Sequence, residues 1–174
     1  MQHPERTPIV ARKITEQAVT ALLRGERFNS SNTTVDVAGD VATMSLHGNP
    51  IAVVNIRTRV MLVSTGEWET TTTKERLNGL PFVQVHTAKH VLHLNGKPWD
   101  HSDKWTVVGD VGLAEAVDRA HVAGVRLDPA AVTLLDASTL HVCLDAIAEG
   151  RPVETDGVVC EHGAIRLATE RTAS

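Results

Sequence analysis

Aromatic residues are nearly missing from this chain: it has no tyrosine, two phenylalanines and three tryptophans, so Phe28, Phe82, Trp68, Trp99 and Trp105 are the few large anchors a core can draw on. Cysteine is as scarce. Cys143 and Cys160 lie far apart without metal-ligand spacing, which argues against a disulfide scaffold or a structural zinc site and leaves two buried thiols. No apolar run approaches the roughly 18 residues of a membrane span, and Met1-Gln2-His3-Pro4-Glu5-Arg6 lacks the apolar centre of a secretory signal. No membrane contact is expected, and the cytoplasm is the expected compartment. Also missing are paired carboxylates, a serine elbow, a P-loop and a His-Glu-x-x-His helix. The expectation is therefore a protein that is not an enzyme and needs no cofactor or metal.

Positive charge is in short supply as well, with 17 Lys/Arg against 21 Asp/Glu, but the balance is uneven. Residues 1–99 hold eleven basic against eight acidic side chains, and residues 100–174 hold six against thirteen. A surplus so small argues against avid, sequence-independent duplex binding, which rests on many phosphate contacts, yet it leaves room for a local basic patch. The acidic half is the natural face for a basic partner protein.

What is present is enough apolar content, 42% of 174 residues, to bury a core in one domain with an appendage or in two small ones. The first nine residues read as a loose leader. From Thr15, as cap, a helix is signalled by Ala18, Val19, Leu22 and Leu23 on one face, with Gly25 ending it. The period then changes to alternation. Thr33–Ala38, Val41–His47, Ile51–Ile56 and Val60–Ser64 read as a four-stranded antiparallel meander whose apolar face needs a cover. Phe82–His86 and His90–Leu94 form a further hairpin around Thr87-Ala88-Lys89, and each tryptophan is expected to anchor a sheet end. Past Gly109-Asp110, helices dominate: Leu113–Val122, one opened by Asp128-Pro129, and one from Ser138 or Thr139 to Gly150. A hairpin of Val158–Cys160 and Ala164–Leu167 follows, and Thr169–Ser174 is expected to fray. The reading is an α+β fold, with a helix and sheet domain over 1–109 and a small, mainly helical part over 110–174.

The most informative stretch is Trp68 to Pro81. With Thr72 as N-cap, Glu75 falls at N3 and completes a capping box, so a two-turn helix starts at Thr73 and stops at Gly79 and Pro81. Leu77 and Leu80 would pack inward, leaving Thr71, Thr73, Lys74, Arg76 and Asn78 outward. Hydroxyls, free amides and two cations at a helix start make a candidate anion site: Thr72 and Thr73 hold a phosphate, Lys74 and Arg76 neutralise it, and Asn78 adds a polar contact. Arg57 and Arg59 join if their turn lies near. His86 and Lys89, with His90, His93 and His101, extend a nucleotide or nucleic-acid surface, and their spacing does not complete a metal-ligand set.

Leu46-His47-Gly48-Asn49-Pro50-Ile51-Ala52, Gly66-Glu67-Trp68-Glu69-Thr70 running into Thr72-Thr73-Lys74-Glu75-Arg76-Leu77-Asn78, and Leu94-Asn95-Gly96-Lys97-Pro98-Trp99 together resemble a group of small phage and prophage proteins, particularly of actinobacteria. The resemblance covers about residues 33–107. It implies a phage origin and work in the cytoplasm of an infected host, by binding a host component or signal. The expected function is recognition of a phosphate-containing ligand, either a nucleotide or a nucleic-acid backbone. One alternative is a module that grips a host protein through the acidic half. Another is a small hydrolase or nuclease using His86, His90 or His101. The oligomeric state is left open.

Overall fold

The computed structural model describes residues 9–168, so Thr169–Ser174, where fraying is expected, and all of the expected leader except Ile9 lie outside the described residues. The chain is α+β, as read. Its elements in order are α1 (Ile9–Arg24), β1 (Phe28–Ser30), β2 (Thr33–Ala38), β3 (Val41–Leu46), β4 (Asn49–Asn55), β5 (Met61–Val63), α2 (Thr71–Asn78), β6 (Val85–Ala88), β7 (Val91–Leu94), β8 (Lys97–Pro98) and β9 (Thr106–Val108). Then come α3 (Val111–Val122), β10 (Arg126–Leu127), α4 (Pro129–Val132), α5 (Ala137–Ala148), β11 (Val153–Thr155), β12 (Val158–Glu161) and β13 (Ala164–Leu167).

The meander β2-β3-β4-β5 forms in the expected order and is extended at its two edges by β1 and β9. Short β1, at the end of the connection from α1, pairs Phe28 with Val35, and β9 pairs Val107 with Leu62. A second sheet, β6-β7-β8, is a meander of its own, and a third, β10-β13-β12-β11, contains the parallel pair β10 and β13. Sequence patterning missed β10 and β11, whose two and three residues carry too little alternation to register.

Both faces of the main sheet are covered near β5 and β9, and strand alternation sorts the residues between two cores. Met61, Val63 and Val108 join Leu22, Met44, Ile51 and Leu77 under α1 and α2. Leu62 and Val107 point the other way, to Leu113, Val117, Leu140 and Ile165 of α3, α5 and β13. The helical part is thus seated on the sheet. Buried Asn55 donates to the Thr133 hydroxyl at 3.3 Å, and the Thr58 hydroxyl donates to the Thr133 carbonyl at 2.9 Å.

Several helix starts lie earlier than the sequence reading puts them. Helix α1 begins at Ile9, so Thr15 is a buried residue in its middle rather than its cap. Each of α3, α4 and α5 is capped by the aspartate just before it, Asp110, Asp128 and Asp136. For α5 that places the cap two residues ahead of Ser138. Cys143 and Cys160 are buried free thiols in the second core.

Candidate functional site

A cavity of about 470 Å³ opens where the β3–β4 turn faces the loop before α2. Its walls are Leu46, His47, Asn49 and Ile51 from the turn, and Thr65, Trp68, Thr70, Thr72 and Thr73 from the loop and helix. The loop is pinned. Ser64 and Thr65 hydroxyls and the Thr65 amide all donate to the Ser102 carbonyl, at 3.2, 2.9 and 2.7 Å, and the Ser102 hydroxyl donates to Glu69 at 3.2 Å. Held this way, Trp68 stands 61% exposed. That corrects the expectation that every tryptophan is a core anchor: Trp99 is buried, its indole N–H donating to Thr106 at 2.9 Å, while Trp68 faces the cavity. The surface rule for large aromatics makes such a ring informative, because burying it elsewhere would have been favourable.

Helix α2 starts two residues earlier than expected. Its N-cap is Thr70, whose hydroxyl accepts from the Thr73 amide at 3.1 Å, and the Lys74 amide bonds the Thr70 carbonyl. Thr72 is therefore N2, and Glu75 closes no capping box. The first two amides, of Thr71 and Thr72, are left without a helical acceptor. Thr72 and Thr73 do line the cavity, although the buried Thr73 hydroxyl is engaged with that of Thr70 at 2.9 Å.

Arg76 is the main correction. It points inward and is 2% exposed; Nε donates to Thr33 at 3.0 Å, Nη1 donates to Thr15 at 2.7 Å, and Glu75 lies 3.4 Å away. Thr15 in turn donates to Glu75 at 3.2 Å, so α1, β2 and α2 are tied through one guanidinium. Burial lowers the Arg76 pKa and the Glu75 charge opposes that shift. The misreading came from taking Leu77 and Leu80 as the whole inner face: Thr73, Arg76, Leu77 and Leu80 fall at i, i+3, i+4 and i+7 on one helical face, and all four are buried. Gly79 belongs to the same packing. It is right-handed, and a Cβ there would sit 2.4 Å from Thr15 Cγ2, so its role is to let α1 approach rather than to supply a left-handed stop.

The remaining candidates disperse. Lys74 Nζ donates to Thr87 at 3.1 Å on β6, and the Asn78 side chain is spent on the Val85 backbone, accepting at 2.6 Å and donating at 2.9 Å. His86 and His93 are cross-strand partners with rings stacked at 4.9 Å. The β6–β7 turn is Lys89-His90, both left-handed, one residue later than expected, so His90 belongs to the turn and His93 shares the face of His86. Arg57 pairs with Asp40 at 3.3 Å, and Arg59 lines a different cavity. That cavity meets β4 and β5 near Val54 and the first meets β4 at Asn49 and Ile51, so they are three residues or roughly 10 Å apart along the strand at their nearest. Among the described residues no group of three or more His, Cys, Asp or Glu is placed to hold a metal, and no helix is long and apolar enough to cross a membrane.

Sequence reasoning missed His47, Asn49, Thr65 and Thr70 as cavity residues, because a turn over 46–51 and a loop over 65–73 belong to separate elements and carry no shared period. The signal available was Trp68 itself, flanked by Gly66-Glu67 and Glu69 with no apolar neighbour at helical or strand spacing.

Against known proteins, the family described as Kyanoviridae Gp96 protein matches residues 11–108, from within α1 to the end of β9 and more than half of the chain. No curated protein and no solved structure matches. The match supports a phage protein; it does not extend to an actinobacterial host.

Proposed function

The chain belongs to the Kyanoviridae Gp96 protein family, a phage family, and on that premise we propose that it is a non-catalytic binding protein for a nucleotide-class ligand, held in the cavity under Trp68. The base stacks on the exposed indole, as bases do on aromatic platforms in single-strand binders. Polar edges of the base and sugar meet the Thr72 hydroxyl, Asn49 and His47. The phosphate meets the unpartnered amides of Thr71 and Thr72 at the positive end of α2. Exposed Trp68 over a hydroxyl-lined cavity is the observation that carries this reading. The volume, about 470 Å³, lies in the range of small-molecule sites.

This differs from the sequence expectation in its electrostatics. Lys74 and Arg76 are engaged elsewhere, and the residues that line the cavity include no Lys or Arg. Such a site has no strong counter-charge for a triphosphate and suits a monophosphate. The test is tryptophan fluorescence titrated with nucleosides and nucleoside monophosphates. Trp68 is the exposed indole and should be quenched saturably, with the monophosphate binding several-fold tighter than its nucleoside, as a helix N-terminus contributes on the order of 0.3–1 kcal/mol. Trp68→Ala should abolish the signal and the binding seen by calorimetry. No saturable binding at millimolar monophosphate, or unchanged calorimetric affinity in Trp68→Ala, would overturn the reading.

A further inference from the structure

The second cavity, about 440 Å³, lies between the end of α1, the β4–β5 hairpin and the β9–α3 junction. Leu23, Val54, Met61 and Val108 give it apolar walls. Two of its residues hold backbone conformations that side chains other than Asn and Asp avoid: Arg59 has φ 66° and Phe82 has φ 62°. For a ring as bulky as phenylalanine that is a true outlier, and such strain collects where ligands are held. Phe82 is also 74% exposed, so its apolar area is not recovered by packing within the chain. Its ring lies across Gly109, where a Cβ would come 3.5 Å from Cδ2; with φ 84°, Gly109 is the residue type that permits both the turn and the approach.

Charge completes the picture. Arg57 is neutralised by Asp40, but the Arg59 side chain has no ion pair or hydrogen bond among the described residues. The other charged wall residue, Asp110, accepts the Leu113 amide at 3.0 Å as the cap of α3. An apolar floor, an exposed ring and one uncommitted guanidinium fork call for an occupant with an apolar body and a planar anionic end.

We propose that this cavity binds a small apolar carboxylate, its body against Phe82 and its carboxylate paired with Arg59. The site is separate from the Trp68 cavity and does not rest on it. Decanoate, kept below its micellar concentration, is the probe, with decanol and decylamine as controls, followed by isothermal calorimetry. Wild type should bind decanoate saturably and in preference to both controls. Arg59→Gln should weaken decanoate at least about tenfold and leave decanol unchanged, the size expected for losing a charge-assisted pair. Phe82→Ala should weaken both, while Trp68→Ala should change neither. Arg59→Gly relieves the backbone strain and keeps the test available if Arg59→Gln folds poorly. Equal affinity of wild type and the Arg59 variants, decylamine binding as tightly as decanoate, or no saturable binding would overturn the proposal.

Discussion

Replacing Arg76 by alanine separates the inward guanidinium from the outward one that sequence patterning implies. In the fold the substitution removes a charged donor's hydrogen bonds, among them those to Thr33 at 3.0 Å and Thr15 at 2.7 Å, and leaves Glu75 without its cation at 3.4 Å. Hydrogen bonds to charged groups are worth about 1.5–3 kcal/mol each, and breaking a largely buried ion pair from one side costs about 3–5 kcal/mol, so the two estimates converge on about 4 kcal/mol. Against a total stability of about 5–15 kcal/mol that is a large fraction. At about 2–4 °C per kcal/mol for a chain of this length, the melting temperature should fall on the order of 10 °C. Urea denaturation should show the midpoint lowered with the slope unchanged, which locates the loss in native packing. Glu75→Gln combined with Arg76→Met removes both charges and should recover part of the loss. If Arg76→Ala shifts stability by less than about 0.5 kcal/mol, the level of an ordinary surface change, the side chain is solvent-facing and the tie between α1, β2 and α2 is wrong.

Two further outcomes test the same architecture. Thr70→Ala removes the cap of α2 and should cost about 1 kcal/mol in urea unfolding, whereas Thr72→Ala, which caps nothing, should stay within about 0.5 kcal/mol; the reverse order would restore Thr72 as the cap. Acidification should destabilise the chain through His121. Burial lowers its pKa, helped by His101 and Lys104 and opposed by the Trp105 carbonyl, which accepts from Nε2 at 2.6 Å, and by Asp118. A depressed histidine binds fewer protons folded than unfolded, so its stabilising contribution is complete above the unfolded value of about 6.5 and is lost as pH falls below it. Urea midpoints measured from pH 7 to 5.5 should decline, and His121→Gln should flatten the decline; an unchanged slope in that variant would refute the assignment.

Local signals were enough for much of the fold. The alternation of residues 33–47 and the short apolar runs after it, divided by turn signals, read as sequential antiparallel strands, because short turns bring consecutive strands side by side, and the Asp128-Pro129 pair starts α4 where cap chemistry says it must. The site was less legible. Four threonines in a row, Thr70 to Thr73, are each competent caps, and no local rule selects Thr70; the choice is made by where Leu77 and Arg76 must point to reach α1 and β2.

What the sequence determined by itself is therefore the α+β class, the strand order of the central meander and the presence of a short helix after Trp68. Tertiary structure decided the rest. It turned Arg76 from a surface cation into the centre of a buried network, spread Arg57, Lys74 and His86 over separate partners, and left Trp68 and Phe82 exposed at two cavities. The reason is physical. Period and capping report a residue's position on its own element, but the partner of a charge or a ring is set by which other element arrives opposite it, and that depends on contacts tens of residues apart, such as Arg76 with Thr15 and Thr33.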